Sequence, residues 1–245
     1  MTKGIDIAAA ERSLGELVQE DGRAAGVFES FGLDFCCNGR RTLRDAAEAQ
    51  DVPLDALVGA LADLGDPAGV DTEPDEWREL DVLVRHIVDC HHAYVRSVSP
   101  TIIAWLDRLV ERHGGRHPEL EAMKQTFEEL ATELATHMVK EENILFPYIV
   151  DLAVARTRGA RLPAGPFGTI LNPVRVMEAD HALAGELSGK LRRLSGGFIA
   201  PPDACTTYRV CYAELDTFER DLHRHIHLEN NVLFPRAIEL ERALA

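Results

Sequence analysis

Two segments of this chain are near-copies of each other. Residues 137–147 read HMVKEENILFP and residues 225–235 read HIHLENNVLFP. Six of the eleven positions are identical, Ile144 and Val232 are a conservative match, and the copies begin 88 residues apart. Upstream of each copy stands one more histidine, His92 and His181, offset by 89 residues. Each half of the repeat therefore supplies one histidine on a first helix and His-x-x-x-Glu on a second. Two such hairpins paired about a pseudo-twofold axis make a four-helix bundle whose equivalent residues face one another.

The hydrophobic patterning agrees. Helical period runs over roughly 76–113, 118–155, 173–195 and 203–243. The breaks are Gly114-Gly115, RGARLPAGPFG at 158–168 and GGFIAPP at 196–202, so the longest link joins the second and third helices. No stretch alternates with period two long enough to make a sheet, and the expected fold class is all-α. Before the bundle, GDPAGVDTEPDE at 65–76 holds two Pro, two Gly and five acids without an apolar period, and reads as a linker. It divides a small helical domain, 1–68, from the bundle, 76–245. In the small domain Ser13 is placed to cap a helix from Leu14, Ala24–Phe31 closes at Gly32, Thr42 caps Leu43–Ala49, and Pro53 opens Leu54–Leu64.

The faces matter more than the residue types. Steps of three and four along the second bundle helix give Leu120, Met123, Phe127, Leu130, Leu134, His137, Glu141, Ile144 and Tyr148. The fourth gives Tyr208, Cys211, Leu215, Phe218, Leu222, His225, Glu229 and Val232, and the third Val174, Met177, His181, Ala184, Leu187 and Leu191. The histidines and glutamates thus lie on core-facing stripes. A buried glutamate is costly unless its charge is compensated. Four imidazoles and two carboxylates converging on one interior are compensated together by metal cations. His137 and Glu141, and likewise His225 and Glu229, stand one above the other at i and i+4, so each pair reaches neighbouring metals. Each carboxylate has two oxygens, one for each metal. Mixed imidazole and carboxylate donors suit iron, whereas zinc or an iron–sulfur cluster favours thiolate. On the first helix, His91 fits the stripe Leu80–Val84–Ile87–His91–Val95 as well as His92 fits Val84–Val88–His92–Val95; the repeat offset favours His92. His86, His113, His117, His223 and His227 are expected at the surface or rim.

Glu133 and Asp221 precede His137 and His225 by four residues. They are placed to orient those imidazoles or carry protons, or to form ordinary i,i+4 acid–histidine pairs. Pro147 and Pro235 free the carbonyls of Asn143 and Asn231, so a kink is expected one turn past the ligands in both halves.

Composition narrows the function classes. With 26 Lys and Arg against 41 Asp and Glu, the formal net charge is −15. That argues against nucleic-acid binding, which needs a basic face, and against a polybasic membrane binder. No window approaches the ~18 apolar residues of a membrane span. MTKGIDIAAAERSLGE contains no signal-peptide core, so a cytoplasmic location is expected. Five cysteines, two of them adjacent, read as thiols of a reducing compartment. Cys90, Cys205 and Cys211 are expected to be structural. Cys36-Cys37 precedes Asn38-Gly39-Arg40-Arg41. A turn there would expose the thiols, and the two arginines would favour thiolate. Adjacent cysteines bridge only through a strained ring, so a stable disulfide is not expected. Transient thiol chemistry, metal or nitrosyl handling and contact in a homodimer stand against a role as small core hydrophobes.

The paired blocks, with VMEADHALAGEL around His181, PPDACTTY at 201–208 and LDFCCNGRRTLRDA at 33–46, resemble the di-iron proteins for repair of iron–sulfur clusters, the RIC family. The resemblance covers almost the whole chain. It implies a short N-terminal domain followed by a hemerythrin-like bundle. It implies two non-haem iron ions, oxo- and carboxylate-bridged, ligated by His92, His137, His181 and His225 and bridged by Glu141 and Glu229. It implies recovery from nitrosative and oxidative damage, with iron donation and binding or reduction of nitric oxide. Damaged iron–sulfur proteins would be the partners, and Cys36 and Cys37 a functional motif. The competing class is a hemerythrin-like module that carries or senses oxygen or nitric oxide without turnover. The thiol-bearing domain favours repair, because a gas carrier needs no thiols.

Overall fold

The computed structural model describes residues 10–65, 79–161 and 165–245. The expected linker falls almost wholly at 66–78, so the boundary between the two parts lies outside the described residues. Among the described residues there are eight helices and no strand.

Four short helices form the N-terminal part: α1 (Leu14–Glu20), α2 (Ala24–Ser30), α3 (Leu43–Ala49) and α4 (Leu54–Asp63). Their starts follow from local chemistry. Ser13 and Glu16 make a reciprocal cap, each backbone N–H donating to the other's side chain at 3.0 and 3.2 Å. Thr42 Oγ1 accepts from the N–H of Asp45 at 3.1 Å. The α2 exit turns at Gly32, whose φ of +69° belongs to the left-handed region.

Four long helices form the bundle: α5 (80–113), α6 (119–158), α7 (Leu171–Leu194) and α8 (206–244). They neighbour one another around the bundle in chain order. Three of them contain a π-helical turn at the same level: Ile87–His92 in α5, Glu141–Leu145 in α6 and Leu228–Leu233 in α8. The sequence predicted a kink one turn past the ligands. The distortion instead begins at or beside the ligand residues, and α-helical geometry resumes at Phe146-Pro147 and Phe234-Pro235. The proline cannot donate to the carbonyl four residues earlier, and the wider turn ends where that bond is missing.

The extra residue of a π turn also rotates the remainder of the helix. Along α6 every expected stripe residue through Glu141 is buried, but Ile144 is 50% exposed and Tyr148 half-buried. Leu145, Phe146 and Ile149 face inward instead. In α5 both His91 and His92, at the end of the π turn, are buried.

The core is in two layers. One apolar cluster joins the small domain (Phe28, Phe35, Leu43) to the bundle (Phe127, Ala184, Leu222, Ile226). The other gathers Phe146, Ile149, Val174, Leu228 and Phe234 near the opposite end. Between them lies a belt of buried histidines and glutamates.

Candidate metal centre

The belt resolves into two groups that share both glutamates. His92, Glu141, His225 and Glu229 place one donor atom each within 4.8 Å of one another, and so do His137, Glu141, His181 and Glu229. Glu141 Oε2 lies 3.3 Å from His92 Nε2 and 3.2 Å from His137 Nε2, one histidine of each group. Glu229 divides its oxygens: Oε1 lies 3.0 Å from His225 Nε2 and Oε2 lies 2.9 Å from His181 Nε2. All six side chains are at most 2% exposed.

These donors fit cations. Both oxygens of Glu141 and Oε2 of Glu229 accept no well-directed hydrogen bond, which is unusual for buried carboxylates. The imidazoles meet nitrogen to nitrogen, with Nε2 atoms 3.1 Å apart in the pair His92–His225 and again in His137–His181. Lone pairs so arranged need a positive charge between them. Burial opposes a charge on His92, but Glu141 and Glu229 outweigh it and raise its pKa to about 10. His137 is raised to about 9 against the same burial, chiefly by the Glu141 charge. Burial lowers His225. Burial also works against the Glu229 charge, but His225, His181 and His92 hold that carboxyl well below its usual range. These shifts show a site already arranged for positive charge.

The outward nitrogens have partners that helical spacing did not name. His92 Nδ1 meets Glu142 Oε1 at 2.7 Å, and Arg96 holds the same oxygen at 2.7 Å. His137 Nδ1 meets Asp180 Oδ2 at 3.3 Å, with Lys140 on that oxygen at 2.8 Å. His181 Nδ1 meets Asn230 Oδ1 at 2.8 Å. Two expectations are therefore corrected. Glu133 is exposed and Asp180 takes the role expected of it. Asp221 does not orient His225; its Oδ1 lies 2.9 Å from His91 Nδ1, and His91 stacks flat on the His225 ring with centroids 5.6 Å apart. The signal was in the repeat. Glu142 and Asn230 each follow a shared glutamate, and His91 and Asp180 each precede a first-helix histidine.

Two rim histidines are also corrected: His113 and His227 are buried. Cys90, expected to be structural, is exposed, while Cys211 is buried.

Residues 82–237 match the Hemerythrin HHE cation binding domain, and residues 10–65 match ScdA_N, a domain of unknown function. The chain belongs to the hemerythrin HHE family. It is 36% identical over 233 residues to the iron–sulfur cluster repair protein YtfE of Edwardsiella ictaluri, covering 93% of this chain and 97% of that one. It is 33% identical over 234 residues to the YtfE proteins of Salmonella paratyphi B and Salmonella newport, covering 95% of this chain and 99% of each. The hemerythrin HHE domain binds di-iron, and here buried His/Glu groups suited to it occupy the bundle interior.

In this member of the family the ScdA_N part is docked beside that interior. The carbonyl of Cys36 accepts from Asn230 Nδ2 and from Asn231 Nδ2, both at 3.2 Å. Gln19 Nε2 donates to the Asn231 carbonyl at 2.7 Å. Phe35 packs on the His227 ring with centroids 5.8 Å apart. Of the two thiols the sequence suggested would be displayed, Cys37 is half-buried and Cys36 is withdrawn. Cys36 is 4% exposed, and Arg40 is occupied by Glu178 at 2.9 Å. The neighbouring Cys37 thiol, burial and the Asp34 charge push the Cys36 pKa well up, so the free thiol keeps its proton. No helix among the described residues is long and apolar enough to cross a membrane.

Proposed function

We propose that this protein restores iron–sulfur clusters damaged by nitrosative or oxidative stress. His92, Glu141, His225 and Glu229 hold one iron, and His137, Glu141, His181 and Glu229 the other. The observation that carries this reading is the pair of four-donor groups sharing two carboxylates, in a chain aligned almost end to end with named repair proteins.

When bound, the iron pair supplies redox-active cations with room for a small ligand such as nitric oxide or oxygen. The chain's own residues do the rest. Glu141 and Glu229 each face both groups and set the separation between them. Glu142, Asp180 and Asn230 fix the imidazoles from outside. Phe146, stacked on His92, and Phe234, stacked on His181, close the apolar side and exclude water. Damaged iron–sulfur proteins are the partners in this reading. The docked thiol domain and the repair names of the relatives favour it over a gas carrier.

The test is reactivation of a nitric-oxide-damaged dehydratase of the aconitase type by the iron-loaded protein. Recovery above that given by free ferrous iron at equal concentration supports the reading. Equal recovery sinks it.

A further inference from the structure

A third group of metal-ligating side chains lies outside the bundle interior. One donor atom each of Asp34, Cys36 and Cys37 lie within 4.8 Å of one another. Cys36 Sγ lies 3.9 Å from Cys37 Sγ and 3.3 Å from Asp34 Oδ1. A tetrahedral cation with metal–sulfur bonds of about 2.3 Å and metal–oxygen bonds of about 2.0 Å would hold two sulfurs roughly 3.8 Å apart and a sulfur and an oxygen roughly 3.5 Å apart. The two separations made by Cys36 Sγ are close to these values, and Cys37 Sγ lies within 4.8 Å of the Asp34 carboxylate. The sulfurs are much too far apart for a disulfide, which needs about 2.05 Å.

Adjacent side chains on an extended strand would point to opposite sides. Here a local turn defeats that. Asp34 Oδ1 accepts the backbone N–H of Cys37 at 2.9 Å, and Asp34 Oδ2 accepts from Asn38 Nδ2 at 2.6 Å. The carboxylate is fixed by these bonds, and the chain bends so that both thiols share its side.

The fourth corner is open. A cavity of about 830 Å³ between the small domain and the bundle is lined by all three residues. Gly185 and Gly189 of α7 also line it, and their lack of side chains leaves it room. On its other flank Cys37 Sγ lies 3.6 Å from the carbonyl oxygen of His181, whose imidazole belongs to the second bundle group. One residue of α7 thus touches both places.

We propose that Asp34, Cys36 and Cys37 form a transfer site for a ferrous ion, where iron leaving or entering the bundle is held before exchange with a client. The inference rests on the repair reading and adds the route of its cargo. Two sulfurs, one carboxylate and an exchangeable fourth ligand suit a borderline-soft divalent cation held loosely. Binding converts both thiols to thiolates and releases two protons to solvent; no electron is transferred.

Cobalt(II) is the probe, added to the full-length protein with its bundle already iron-loaded. The expected result is one further equivalent of cobalt and a thiolate-to-cobalt charge-transfer absorption. Cys36→Ser and Cys37→Ser should each abolish that absorption and leave the iron spectrum unchanged. Asp34→Asn should shift the titration midpoint to higher cobalt. In the unmutated protein, cobalt should also slow alkylation of Cys36 and Cys37, read by mass spectrometry, which serves if a variant folds poorly. No thiolate band in the unmutated protein, its survival in Cys36→Ser, or alkylation indifferent to cobalt would each overturn the site. If the band is present but dehydratase recovery is not, the repair reading fails and the metal site stands.

Discussion

Glu142 and Asn230 occupy the same position in the two repeats and do the same job with different chemistry. Each follows a shared glutamate and takes the outward nitrogen of the first-helix histidine in its own hairpin, at 2.7 Å for His92 and 2.8 Å for His181. Glu142 can only accept, and it shares its oxygen with Arg96. The Asn230 amide accepts at one end and donates to the Cys36 carbonyl at the other. The half that carries the small domain therefore has the residue able to bond in both directions. Asn230→Ala should lower metal affinity by roughly 10–100-fold, as loss of a ligand-orienting partner does. Asn230→Asp keeps the acceptor and loses the donor, so it should retain metal while loosening the Cys36 loop. Chelator competition and alkylation rates separate the two effects.

Removing a shared carboxylate should decouple stability from metal. Glu141→Ala or Glu229→Ala leaves each group short of a donor. Added iron should then no longer raise the melting temperature, because binding to the folded state supplied that rise. An iron-dependent rise of unmutated size in both variants would remove the two glutamates from the site.

His91 and His92 are both buried but face different partners. His92 Nε2 points into the first group, whereas His91 bonds Asp221 and stacks on His225. His92→Ala should lose iron, and His91→Ala should keep it at full stoichiometry by metal analysis. The reverse pattern would move the ligand role one residue along.

Much of the site is legible in the sequence, for physical reasons. The repeat marks the six interior donors because a pseudo-twofold bundle must present them twice. Ser13, Thr42 and Gly32 announce helix ends because caps are local chemistry. The π turns are not legible, since an extra residue per turn leaves composition untouched; regular spacing puts Ile144 inside for that reason. Helical spacing alone also selects Glu133 and Asp221. The partners actually used, Asp180 and Glu142, reach across from other helices, and single-helix spacing carries no record of that.

Docking of the small domain depends on a missing side chain. A Cβ at Gly39 would stand 2.4 Å from Asn231 Oδ1 and 2.5 Å from the Phe35 carbonyl. Gly39→Ala should therefore displace the Cys36–Cys37 loop while the bundle keeps its iron spectrum. Faster alkylation of Cys36 is the expected readout. Unchanged alkylation would mean that the loop accommodates the methyl group.

Acid should act through His227, which packs against Phe35 and whose Nδ1 lies 3.2 Å from Asn231 Nδ2. Burial, then the Arg224 charge, lower its pKa to about 3. The unfolded chain protonates this group near 6.5 and the folded one does not. Its contribution to stability is thus constant above pH 6.5 and declines as pH falls from there toward 3, by about 2 kcal/mol at pH 5. His227→Gln should show a correspondingly smaller loss between pH 7.5 and 5 in denaturant titrations. Equal losses would place the acid sensitivity elsewhere.

Ordinary helices fray from their tips, where backbone groups lack partners, and are most persistent at mid-length. The long helices here reverse that gradient once cations are withdrawn. The π turns at Ile87–His92, Glu141–Leu145 and Leu228–Leu233 lie at one level, beside two carboxylates with few hydrogen bonds and between two well-packed apolar layers. In the iron-free protein, amide exchange should be fastest across this waist and slowest in the layers flanking it. The chain would then open from its middle, so that iron could pass while both ends stay folded.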